Sequence, residues 1–163
     1  LDNWYNSNLA NYSNYIATGG GATFCNDRTP YSGSGIRTTV TNYAPSNRLY
    51  TNKAPTFKCT DTGDRFATPV GLITGDEVAY AGGILINNNT GYYLYTGQYY
   101  WTMSPSDFEG GSICMVVYSV CLDGDIGGGR VYYAWGVRPV INLKADTSFS
   151  SGSGTSSNPY IVS

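Results

Sequence analysis

The stretches Tyr100-Trp101-Thr102-Met103-Ser104-Pro105 and Trp135-Gly136-Val137-Arg138-Pro139-Val140-Ile141-Asn142-Leu143 decide the fold. Both read as stiff strand material, rich in aromatic and β-branched residues. In the second, Val131, Tyr133, Trp135, Val137, Pro139, Ile141 and Leu143 fall on one period-2 face and predict a long strand from about Arg130 to Leu143. Pro139 offers no amide donor, so that strand should be an edge or carry a bulge. Between the two stretches lie Cys114 to Cys121 and Gly127-Gly128-Gly129-Arg130, whose composition is not that of a packed core. Binding residues tend to collect on irregular segments that a rigid scaffold positions.

Working outward, 92–95, 99–103 and 113–122 also read as strands, with Asp123-Gly124 as a hairpin signal. Thr74-Gly75-Asp76-Glu77 has the form of a capping box opening a short helix, and Gly82-Gly83 supplies its stop. Asp76 and Glu77 are therefore helix-start residues before they are an acid/base pair. Leu1, Trp4, Tyr5, Leu9, Tyr12, Tyr15 and Ile16 recur at helical spacing up to Gly19-Gly20-Gly21. The Asn-rich opposite face makes that helix weak unless it docks. Residues 23–58 read as loops and short strands, and Asn158 to Val162 as a returning strand. Together these predict one α+β domain over 1–163. Two helices, near 2–16 and 75–81, pack on a small, twisted, mainly antiparallel sheet.

Charged residues are only 12% of the chain, whereas Tyr numbers 16. The surface must then be neutral-polar and aromatic, a composition that suits paratope-like recognition as well as a Tyr-rich β-protein. With 9 Lys and Arg and a net charge of -2, the basic footprint that nucleic acid requires is missing. No apolar run nears the roughly 20 residues of a membrane span. The chain reads as an extracellular, mature ectodomain, with any export signal or anchor expected to lie outside it. The absence of His excludes Ser-His-Asp and Cys-His catalysis and His-ligated metals. Asp61 to Asp64 and Asp123 to Asp125 lack full calcium-loop spacing and read as turns. Neither a cofactor nor a metal is expected, and no residue is assigned a catalytic role.

Of the four cysteines, Cys25 and Cys59 share aromatic contexts, Phe24-Cys25 and Phe57-Lys58-Cys59, and are paired as a disulfide closing a loop of roughly 35 residues. Cys114 and Cys121 lie seven apart along one candidate strand; a second disulfide there needs a bulge or hairpin, and free thiols are the alternative.

The segments 71–83, 99–105 and 136–143, with the N-terminal helix and Phe24 to Arg28, resemble surface domains of gut-associated Gram-positive bacteria. Those domains are similar to the C-type-lectin-like fold of formylglycine-generating-enzyme-type domains and of the variable proteins of diversity-generating retroelements. The resemblance implies a C-type-lectin-like fold, with 107–135 as the ligand-display segment and 136–143 as the constant strand after it. It implies a variable receptor or adhesin for a protein or glycan on another cell, with a fixed adhesin or pilus-type module as the alternative. The oxidase reading is weaker, because Cys114 and Cys121 do not match that family's C-terminal cysteine context. On the display segment, Tyr118, Tyr132, Tyr133 and Trp135 are expected as anchors, with Asp107, Phe108, Asp123, Asp125 and Arg130 around them. Trp101 is expected in the core.

Overall fold

In a computed structural model that describes residues 1–19, 22–35, 39–110, 114–155 and 157–163, with Cys114 described by its backbone only, the chain divides into two packing units. One comprises 1–23, 67–71 and 141–163; the other comprises 24–66 and 72–140. The helices are α1 (Asp2–Asn8), α2 (Ala44–Ser46, running into a π-helical turn Asn47–Asn52) and α3 (Gly75–Tyr80). The strands are β1 (Phe24–Cys25), β2 (Pro30–Ser32), β3 (Thr41–Tyr43), β4 (Arg65–Phe66), β5 (Gly71–Leu72) and β6 (Tyr100–Glu109). They continue with β7 (Cys114–Val120), β8 (Ile126–Arg130), β9 (Gly136–Val137), β10 (Pro139–Val140), β11 (Phe149–Ser151) and β12 (Ile161–Val162). The α+β class with antiparallel sheets is as the sequence implies.

In the first unit the helix expected over 2–16 ends early. Leu9 leaves the helical region at φ -127°, and a 3-10 turn, Ala10–Tyr12, follows. Asn, Ser and Tyr contribute too little propensity to carry the helix further. Tyr5 and Ile16 are buried with Val70, against Leu9 and Ile141, while Trp4 and Tyr12 stay exposed. Ile16 is fixed by a bridge to Leu143, flanked by Ala17 N–H donating to Asn142 C=O at 2.8 Å and Lys144 N–H donating to Tyr15 C=O at 2.9 Å. The returning strand is β12, which pairs antiparallel with β11 and is shorter than expected because Pro159 has no amide to donate. Gly20 and Gly21 of the expected helix stop lie outside the described residues.

The second unit is built on a six-stranded sheet among the described residues, ordered β2-β3-β6-β7-β8, with β9 parallel to β6. The pairings Tyr100 with Val120 and Val120 with Ile126 put these three and Tyr118 on one face. Leu49, Ile73, Val78, Tyr92 and Leu94 complete the core there. Trp101, Val117, Ser119, Gly127 and Gly129 lie on the opposite, outer face.

Helix α3 covers the inner face. Its capping box forms as the sequence predicts: Glu77 N–H donates to Thr74 Oγ1 at 3.1 Å and Thr74 N–H donates to Glu77 Oε2 at 2.7 Å. Its first amide, Gly75 N–H, also donates to the buried Ser104 Oγ of β6 at 2.9 Å. Past the helix, Gly82 takes φ +115°, as the Gly-Gly stop requires.

Two strand assignments are corrected. Residues 92–95 form a turn, closed by Tyr95 N–H donating to Tyr92 C=O at 3.0 Å; the burial of Tyr92 and Leu94 mimics a strand's alternation. The strand expected over 130–143 is broken after Arg130, where Tyr133 N–H donates to Arg130 C=O at 3.0 Å. Val131, Tyr133 and Val137 of its supposed core face are exposed. The physical reason lies in the pairing: β8 forms one edge of the sheet, whereas Gly136 pairs with Tyr100 of β6 on the far side from β7. Residues 131–135 must therefore run back diagonally across the outer face. The strand expected over 113–122 forms as β7, with Ile113 outside the described residues.

Arg48 organises what the sequence left as loops. Its Nε and Nη2 donate to the two oxygens of Asp76 at 2.9 and 2.8 Å, and its Nη1 donates to Asp27 Oδ2 at 2.6 Å. Asp27 and Asp76 are buried. Backbone amides complete them: Thr56 N–H donates to Asp76 at 2.9 Å and Thr60 N–H to Asp27 at 3.2 Å. Burial alone would draw the guanidinium pKa down; the two carboxylates outweigh it and raise it. The Cys25–Cys59 disulfide, expected from sequence, joins the same region with Cα atoms 5.7 Å apart. Replacing Arg48 by Ala strands two buried carboxylates and should cost about 3–5 kcal/mol. Urea unfolding followed by circular dichroism should show the midpoint of R48A well below that of the wild type.

Candidate functional site

The outer face of the second unit carries a cluster of five aromatic rings. Trp135 stands at its centre, with ring centroids 4.5 Å from Tyr99, 4.5 Å from Trp101 and 5.1 Å from Tyr133; Tyr132 meets Tyr133 edge-on at 4.9 Å. Tyr99 immediately precedes β6, Trp101 is the second residue of β6, and the other three come from the diagonal crossing. Tyr132 is 61% and Tyr133 44% exposed, while Trp101 and Trp135 are half-buried. Trp101, expected in the core, instead lies half-buried on the outer face, across the sheet from it.

The glycines of β8 make this possible. A Cβ at Gly129 would fall within the Trp135 ring and 2.9 Å from the Trp101 ring, so only a bare backbone lets the indole lie on the sheet. Beside the rings, Arg130 Nη1 donates to Tyr132 Oη and Nη2 to Glu109 Oε2, each at 3.1 Å. The register sets Arg130 and Glu109 opposite Val116 and Cys114, on the other face from the rings, so the hydrogen bond to Tyr132 Oη links the cluster to a half-exposed ion pair at the end of β8.

Of the residues expected at the site, the structure brings together Arg130, Tyr132, Tyr133 and Trp135. Phe108, 2% exposed, and Tyr118, 4% exposed, are corrected to packed residues: the register turns Tyr118 to the inner face with Val120, while Phe108, opposite Met115, is buried on the other face beside Thr41, so neither anchors a surface ligand. Asp107 lies half-buried on the inner side of the sheet, where Ser106 Oγ donates to it at 2.7 Å. Burial, with Glu109 nearby, raises its carboxyl pKa, although the Ser106 hydrogen bond opposes this. Tyr99, Trp101 and Glu109 were missed. Their signal was the register of β6 opposite β7, which places Trp101 over Ser119 and Glu109 beside Cys114.

Asp123 and Asp125 sit in the β7–β8 turn with Cys121, at the other end of β8 from Arg130. The turn reading of Asp123-Gly124-Asp125 holds: Gly124 N–H donates to Cys121 C=O at 3.0 Å with Gly124 at φ +80°. Tyr92 Oη donates to Gly124 C=O at 3.0 Å and Tyr95 Oη to Leu122 C=O at 2.9 Å, so the tyrosines of 92–95 brace this hairpin. Donor atoms of Cys121, Asp123 and Asp125 lie within 4.8 Å of one another. Burial, reinforced by Asp125, pushes the Cys121 thiol up to about 12. A thiol held neutral is a poor metal ligand and nucleophile.

Cys114 and Cys121 stand at opposite ends of β7, about 23 Å apart at about 3.3 Å per residue. That distance rules out the intramolecular disulfide weighed for them, whose Cα atoms would have to lie within about 7 Å. The Cys114 side chain lies outside the described residues.

No protein-family model, curated protein or solved structure matches this chain.

Two measurements check the site. Gly129→Ala should displace Trp135 and cost about 1–3 kcal/mol by overpacking, with loss of the near-ultraviolet dichroism of the stacked rings. In a Cys114→Ser background, alkylation of Cys121 at pH 8 should run about 10³-fold slower than that of an ordinary cysteine. Because the fold favours the neutral thiol, this group's contribution to stability is complete below the ordinary thiol value near 9 and is lost as pH rises toward 12.

Proposed function

We propose that the chain is the extracellular ligand-binding part of a surface protein, of the variable-receptor or adhesin type, with a C-type-lectin-like fold. It acts by equilibrium binding, not catalysis. The observation that carries this reading is the five-ring cluster seated on the bare backbone of Gly129. Aromatic area of this kind, rigid and flanked by an ion pair, is what anchors a protein or glycan ligand. Keeping exposed rings in place by removing side chains from the strand beneath them has no purpose in a core. The disulfide Cys25–Cys59 fits an oxidising, extracellular setting. Among the described residues no helix is long and apolar enough to cross a membrane.

The display role belongs to part of 107–135 only. Phe108, Val116, Tyr118, Val120 and Ile126 are buried and hold the sheet together. Leu122, Asp123 and 131–134 are exposed and carry no core packing. A diversified receptor would change at the second group and spare the first, together with Gly129. Sequencing the gene across the population that carries it should show substitutions concentrated at 122–123 and 131–134. Substitutions spread evenly along the chain would contradict diversification and favour a fixed adhesin or pilus-type module.

A further inference from the structure

The edge of the sheet at β8 is open at one place, on the inner side away from the aromatic cluster. Ile126 N–H donates to Ile84 C=O at 3.0 Å, and Ile86 N–H donates to Ile126 C=O at 3.3 Å. The backbone groups of Ile126 thus point out of the sheet and are met by a short parallel segment, in which Leu85 bridges Ile126. Residues 127, 129 and 131 point the other way: Val131 N–H donates to Met115 C=O at 3.2 Å, and Ser119 Oγ donates to Gly127 C=O at 3.3 Å. By the two-residue alternation of a strand, Gly128 presents both its N–H and its C=O outward, as Ile126 does. The segment that would meet them leaves the edge one residue too soon, because Ile86 adopts φ +57° and turns away. Gly128 is exposed and its outward groups meet no partner among the described residues.

Sheet edges are normally guarded by lysines, prolines or bulges. Here Gly127-Gly128-Gly129 offers no guarding side chain. Beside Gly128 opens a cavity of about 280 Å³ with apolar walls from Tyr50, Leu85 and Ile86, and with Asp107 in its lining. Among the described residues Asp107 has a hydroxyl donor, Ser106, but no cation.

We propose that this edge binds an extended peptide segment of a partner protein, which pairs its backbone with Gly128 and places an Arg or Lys side chain in the adjoining cavity toward Asp107. The occupant follows from three complements: backbone groups matching a strand, apolar walls matching a long aliphatic stem, and a carboxylate without a cation partner among the described residues matching a cationic tip. The site is separate from the aromatic surface, and its fate does not depend on that reading.

The test pans a displayed random heptapeptide library on the full chain and titrates recovered peptides by fluorescence anisotropy. Gly128→Pro removes the outward N–H without touching the ladder to β7. Gly128→Ala adds the same Cβ, 2.9 Å from a Val116 methyl, and keeps the N–H, so it controls for crowding. Recovered peptides should carry Arg or Lys, bind the wild type, G128A and W135A within about threefold of one another, and bind G128P and D107N at least tenfold more weakly. In the wild type, amide exchange at Gly128 should slow at least tenfold on peptide addition, a readout that needs no variant. No enrichment over the input library, affinity unchanged in G128P or D107N, peptides lost with W135A, or no protection at Gly128 would each overturn the proposal.

Discussion

The second unit depends on one partly buried guanidinium held between two buried carboxylates. Arg48 satisfies Asp76 with two parallel hydrogen bonds and Asp27 with a third, and each carboxylate also takes a backbone amide from the 56–60 loop. Charges removed from water are tolerable only when their hydrogen-bonding capacity is nearly filled, so the four segments that meet here are held to one arrangement. Asp76 lies in α3, and the first amide of α3 is tied to Ser104 of β6. The charge cluster therefore fixes the helix on the sheet, and the sheet supports the aromatic surface on its other face. A low overall charge content does not mean that charges are unimportant in this protein. Several of the few it has are spent inside.

The second organising constraint is absence of side chain. Gly129 lets the Trp135 indole rest on the sheet, and Gly124, whose Cβ would collide with the Asn89 carbonyl, lets the hairpin close against its neighbour. Gly128 leaves the strand's edge bare. One run of glycines thus serves two faces of the same strand. In composition that run is indistinguishable from a flexible linker; in the structure it is a strand whose neighbours supply the missing bulk.

The parts of the fold legible in the sequence are those written in local chemistry. The capping box at Thr74 and Glu77, the stop at Gly82, the Asp123-Gly124 turn and strand β7 all follow from short-range signals, and they form as expected; β6, expected over 99–103, runs on to Glu109. The Cys25–Cys59 pairing was reached from matching contexts and also forms. The failures share one cause, tertiary geometry that short windows do not carry. The period-2 pattern of 130–143 was real, but the chain uses those residues to cross a sheet face, where alternation no longer means burial. Phe108 and Tyr118 look like display residues because they lie between constant strands; packing buries them, one on each face of the sheet. Arg48, the most consequential charge, sits in a stretch with no periodic signal, and its partners are 21 and 28 residues away. Tyr99 and Trp101 could be assigned to the site only once β9 was known to return beside β6.

The central claim is that 107–135 combines a fixed frame with a replaceable surface. The most direct test is a saturation substitution scan of that segment, scored for folded protein at the cell surface with no ligand present. The account predicts two separate classes. Phe108, Val116, Tyr118, Val120, Ile126 and Gly129 should reject nearly every change, whereas Leu122, Asp123, Val131, Tyr132, Tyr133 and Ala134 should accept most of them. Uniform sensitivity across the segment, or free substitution at Tyr118 and Gly129, would contradict it.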